Sequence, residues 1–151
     1  MRKVLFLAVA VAACAKTETP AADTAAAAAP PPPAALTAAD MRGTWNGTTK
    51  REGTDSTATF TVVSTSDSTG KIVFGGSKDS VDFTTKFDAD SSIVTSAAYN
   101  DPALPKQAPK VVFRSVGRLE GGKLVGTASV MLASKPDSVI GKSTWEATKA
   151  P

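Results

Sequence analysis

Several segments between Thr44 and Thr148 alternate apolar and polar residues with a period of two. Ala58, Phe60 and Val62 fall on one face, with Thr57, Thr59 and Thr61 opposite. Val81, Phe83, Thr85 and Phe87 alternate with Asp82, Thr84 and Lys86, and Val111, Phe113, Ser115 and Gly117 with Val112, Arg114, Val116 and Arg118. A two-residue period suits a β-strand with one buried face and cannot line up one face of a helix. Eight such segments are predicted near 44–51, 57–65, 71–75, 80–87, 92–99, 110–119, 123–132 and 140–148. Short polar runs separate most of them. Asp67-Ser68-Thr69-Gly70, Lys78-Asp79, Asp88-Ala89-Asp90 and Glu120-Gly121-Gly122 read as hairpin turns. The longer connection, 100–109, holds Pro102, Pro105 and Pro109 and reads as a loop, since proline cannot donate to a strand ladder. Thr37-Ala-Ala-Asp40 has the spacing of a capping box, which predicts one helical turn at 38–42, closed by Gly43.

The predicted fold class is therefore all-β. An antiparallel meander of eight short strands leaves two open edges unless it closes on itself. Closure as a small up-and-down β-barrel is the expected architecture, with a two-sheet sandwich as the alternative. The two ends of the pattern repeat one another. Thr44-Trp45-Asn46-Gly47-Thr48 opens the first strand, and Thr144-Trp145-Glu146-Ala147-Thr148 lies in the last. Paired first and last strands would bring Trp45 and Trp145 together as a plug at one end.

The N-terminus reads differently. Met1-Arg2-Lys3 is a positive start, Val4 to Val11 an apolar run, and Ala12-Ala13 a small-residue site before Cys14. This is the plan of a secretory leader, and it is too short to span a bilayer as a helix. Val11-Ala12-Ala13-Cys14 resembles the lipobox of bacterial lipoproteins. The resemblance implies cleavage after residue 13, a diacylglyceryl thioether on the Cys14 thiol and acylation of the new amine. Several acyl chains hold a protein stably on a membrane where one does not. Ala15 is not the Asp associated with inner-membrane retention, so the resemblance points to the outer membrane. From 15 to 39 the chain is mostly Ala, Pro and Thr, and Leu36 is its only large apolar side chain. Such a segment has no core to fold around, and Pro30 to Pro33 favour a stiff polyproline rod. The expected organisation is a signal peptide at 1–13, a lipidated Cys14 with a disordered tether at 14–39, and one domain at 40–151.

Gly43-Thr44-Trp45 after a short helical turn resembles the Gly-x-Trp opening of calycins, the lipocalin and avidin superfamily. The resemblance implies a Trp packed at the closed end of an eight-stranded barrel, against a cation. Arg114, Arg118, Lys142 and Lys149 are all candidates for that cation. No ligand set carries over.

Chemistry is scarce. The chain has no His and one Cys, which excludes a Ser-His-Asp triad, a His-ligated zinc site and an internal disulfide. Ser68-Thr-Gly-Lys71 has a Ser-x-x-Lys spacing, but its Gly marks a turn. Asp88 with Asp90, and Asp79 with Asp82, fit no twelve-residue calcium loop. Gly75-Gly76 and Gly121-Gly122 lack the strand–loop–helix setting of a phosphate loop. Asn46-Gly47-Thr48 is a glycosylation sequon that its strand position and the bacterial leader argue against. The net charge of +3 includes Arg2 and Lys3 of the leader, and the other cations are interleaved with acids, so no nucleic-acid stripe forms.

The expectation is a non-enzymatic, monomeric, membrane-anchored envelope lipoprotein without cofactor. Its barrel would bind a small apolar ligand or a partner protein, with Trp45, Phe60, Phe83, Phe113 and Trp145 lining the interior. The alternative is a structural lipoprotein with a filled core. The two differ in interior volume: a cavity above about 300 Å³ suits a ligand.

Overall fold

The computed structural model describes residues 35–151, so the expected signal peptide at 1–13, Cys14 and the expected tether up to residue 34 lie outside the described residues. A four-residue helix α1 (Ala38–Met41) precedes eight strands: β1 (Gly43–Arg51), β2 (Thr57–Ser64), β3 (Thr69–Phe74), β4 (Ser80–Asp88), β5 (Ser91–Ser96), β6 (Val111–Glu120), β7 (Lys123–Leu132) and β8 (Lys135–Lys149). Each strand pairs antiparallel with its sequence neighbours, and β1 pairs with β8, so the sheet closes as a barrel. The closing seam runs from Trp45 opposite Lys149 to Arg51 opposite Ser143. The closed barrel, rather than the sandwich, is what forms.

Three boundaries differ from the sequence reading. β3 begins at Thr69, so Gly70 lies inside a strand and not in a turn. It is buried, and its missing side chain makes room for the ring of Phe83 on the neighbouring strand. β5 stops at Ser96, and Tyr99 rejoins the sheet only through an isolated bridge to Val111. β8 starts at Lys135 and tolerates Pro136 because the β7–β8 ladder is irregular between Val130 and Leu132.

Connections of an up-and-down meander alternate between the two poles. At one pole lie the β2–β3, β4–β5 and β6–β7 turns together with α1. Leu36, Met41, Trp45, Leu124 and Ala147 are buried in one core cluster. Gly43 turns the chain from the helix into β1 at φ 103°, a region that favours glycine. Thr37 and Asp40 form the expected capping box: Thr37 N–H donates to Asp40 Oδ2 at 2.9 Å, and Asp40 N–H to Thr37 Oγ1 at 3.4 Å. The Thr37 hydroxyl also donates to Asp40 Oδ2 at 2.6 Å, and this bond, followed by the one from the Thr37 backbone N–H, holds the Asp40 carboxyl below its ordinary value. Their contribution is present above that ordinary value and fades as pH falls. Arg42 Nε donates to Asp67 at 2.8 Å and ties the helix to the β2–β3 turn.

Leu36 is 3 % exposed, so the packed domain begins four residues before the expected boundary at 40. Local composition hid this: an Ala/Pro window gives no sign that its one Leu docks elsewhere. A chain starting at Leu36 is expected to melt within a few degrees of one that also carries residues 15–35, as checked by thermal unfolding.

The two Trp residues do not share one end. Trp45 lies opposite Lys149, whereas Trp145 lies opposite Thr49. Four residues along β1 separate these positions, about 13 Å at strand rise. Trp145 has Phe60 as its ring partner, at 6.3 Å between centroids, and Trp45 has the Lys149 ammonium 5.6 Å from its centroid. Trp45→Phe and Trp145→Phe are therefore expected to add within about 0.5 kcal/mol in urea unfolding. A larger coupling would place the rings together after all.

Candidate functional site

At the other pole the β1–β2, β3–β4 and β7–β8 turns and the 97–110 loop surround an opening. Inward-facing positions follow strand parity. β1 contributes Trp45, Gly47, Thr49 and Arg51, β4 Val81, Phe83 and Thr85, and β6 Val111, Phe113, Ser115 and Gly117. Between them lies a cavity of about 620 Å³. Trp45, Phe60, Phe83, Phe113 and Trp145 all line it, so the structure brings the five sequence-nominated interior residues to one site. The volume falls within the roughly 300–1,000 Å³ of small-molecule sites.

The lumen stays open because three aromatic rings are seated on glycines. Phe60 lies over its cross-strand partner Gly47, and Phe83 over Gly70. Gly117 and Gly126 face one another across β6 and β7, and the Trp145 indole covers both. A side chain at any of these glycines would occupy the place of a ring atom. Sequence reasoning missed this device, although its signal is present: Gly47, Gly70 and Gly117 share the inward parity of their strands.

Near the mouth, Phe74 and Tyr99 stack at 5.5 Å with their planes 17° apart. Phe113 meets both edge-on, at 6.3 and 6.1 Å. Burial, and then the nearby Asp101 carboxylate, push the Tyr99 hydroxyl well above its ordinary value, so it remains neutral.

Polar groups in the wall are largely satisfied. Ser92 Oγ donates to the Gly117 carbonyl at 3.4 Å, Ser96 Oγ accepts from Phe113 N–H at 2.9 Å, and Thr49 Oγ1 donates to the Thr144 carbonyl at 3.2 Å. Among the described residues, Trp145 Nε1 is the one buried side-chain polar atom without a partner.

The groups considered for chemistry lie elsewhere. Lys71 of the Ser-x-x-Lys spacing pairs with Asp82 at 2.6 Å on the outer face. Asn46 accepts from Thr61 Oγ1 at 3.0 Å on the outside of β1. No group of three or more His, Cys, Asp or Glu placed to hold a metal occurs among the described residues, nor a helix long and apolar enough to cross a membrane. The arrangement is thus a barrel lumen with apolar and aromatic walls that opens at one pole. Comparison with family models, curated proteins and solved structures gave no match to this chain.

Proposed function

We propose that the chain is a lipid-anchored lipoprotein of the bacterial envelope whose barrel holds a small apolar ligand. The cavity carries the reading. An interior of about 620 Å³ lined by aromatic and aliphatic side chains is what a container needs and a filled-core spacer does not. A spacer would be more stable with its core filled, since unfilled volume costs about 24 cal/mol per Å³ in core truncations. The calycin resemblance is supported by the seating of Trp45: its indole N–H donates to the Met41 carbonyl at 3.1 Å, and Lys149 lies over the ring. Of the four candidate cations, Lys149 is the one on that ring.

Native mass spectrometry of the protein purified from its own host tests the container. The expected result is a retained small molecule released on denaturation. A bare mass, together with failure to take up any apolar probe, would overturn the reading.

The anchor is tested separately. Cys14→Ser is expected to move the protein from the membrane to the soluble fraction and to leave its unfolding midpoint unchanged, since the sequence reading sets the thiol ahead of the folded domain. Sedimentation with membranes after a high-salt wash would show that Cys14 is not the anchor.

A further inference from the structure

Charge within the cavity is confined to the mouth. Of the residues that line it, only Arg51, Asp101 and Lys142 are ionised; the walls below are apolar or neutral. The Asp101 carboxylate accepts from the Ala103 N–H at 2.9 Å within its own turn. The cations have no such engagement. Ion pairs among the described residues join Arg42 to Asp67, Lys50 to Asp55, Lys71 to Asp82, Arg118 to Glu120 and Lys123 to Glu146, and none uses Arg51 or Lys142.

Arg51 is the last inward position of β1, opposite Ser143 across the seam. Its guanidinium lies over Gly141, with one terminal nitrogen 3.6 Å from where a Cβ would stand. A glycine at this point of β8 leaves the rim clear beside the guanidinium. The planar fork of donors suits an oxyanion better than a point charge does.

We infer that the ligand is an apolar molecule ending in an oxyanion, its body in the barrel and its anionic head on Arg51 at the mouth. This rests on the reading of the barrel as a container and adds the polarity of its cargo. Length also fits: inward positions run from Trp45 beside the plugged pole to Arg51 at the rim, six residues or about 20 Å of strand. Lys142 alternates with the inward Gly141 and Ser143 and so stands on the outer face of β8, which leaves Arg51 as the cation of the mouth. The opposite arrangement, a cationic head on Asp101, is disfavoured by the turn that already occupies the Asp101 carboxylate.

The test compares two probes of equal chain length, decanoate and decan-1-ol, on the full chain carrying Cys14→Ser. Both tryptophans of the protein line the cavity, so intrinsic fluorescence reports occupancy. Decanoate is expected to bind about tenfold more tightly than the alcohol, the scale of one charge-assisted hydrogen-bonded contact. Arg51→Gln is expected to erase the preference and to leave decanol binding within about twofold, the scale of contacts away from the lost charge. Arg51→Lys should keep part of it. Circular dichroism of each variant checks that the barrel is intact. Equal binding of the two probes to the unmutated site, or an undiminished preference in Arg51→Gln, would overturn the inference and leave the container standing. Binding of neither probe would overturn both.

Discussion

Trp45→Ala is expected to destabilise the domain by about 3–5 kcal/mol, the range for removing a large buried aromatic. That is a large share of the roughly 5–15 kcal/mol that holds a typical domain together. Trp45 is 3 % exposed and sits where β1, β8 and the α1 turn converge. Its loss would empty the plug, orphan the Met41 carbonyl that accepts the indole N–H, and open the core cluster to which Leu36 and Met41 also belong. Trp45→Phe keeps a ring and removes the donor, so about 1–2 kcal/mol is expected from it. Urea unfolding followed by circular dichroism measures both. A loss below about 1.5 kcal/mol for Trp45→Ala would mean the pole is held by something other than this ring.

The second large effect is on the lumen. A Cβ at Gly117 would stand 2.6 Å from both Cη2 and Cζ2 of Trp145, closer than real contacts allow. The backbone carbonyl of Val125 lies 3.3 Å from the same point, so the strand offers little room to yield. The indole must therefore swing away from the wall, and the space beside it is the lumen. Overpacking of this kind costs about 1–3 kcal/mol. A displaced indole also excludes at least two methylene groups of a bound chain, at about 0.8 kcal/mol each, so affinity for decan-1-ol is expected to fall about tenfold in Gly117→Ala. Trp145→Phe in the same background should recover binding, because a smaller ring fits beside the new methyl. Unchanged affinity in Gly117→Ala would show that the ring finds another place to go.

The strand pattern was legible because a barrel interior imposes a strict parity, and parity survives in sequence. Phe60, Phe83 and Phe113 could be assigned to the lumen from alternation alone. Register was not legible. The matching Thr-Trp-x-x-Thr segments suggested that Trp45 and Trp145 meet, but the β1–β8 ladder sets Trp145 against Thr49. Nothing within either segment encodes the offset, since it is fixed by the accumulated stagger of all eight strands. Leu36 escaped for a related reason: its burial belongs to a pole assembled from residues far along the chain. Arg51 was invisible as a site residue because a charged side chain ending a strand ordinarily faces solvent. Only the ring of loops around it makes that position a rim.

Both ends of the domain leave from the plugged pole. Leu36 is buried there, and at the far terminus the Ala150 N–H donates to the Thr44 carbonyl at 2.8 Å, beside the start of β1. The two chain ends and the open mouth thus lie in opposite hemispheres. A fusion or linkage made at Leu36 or at Ala150 therefore starts from the side away from the rim. On the function proposed above, a ligand would enter and leave by the pole opposite the one from which the chain ends depart.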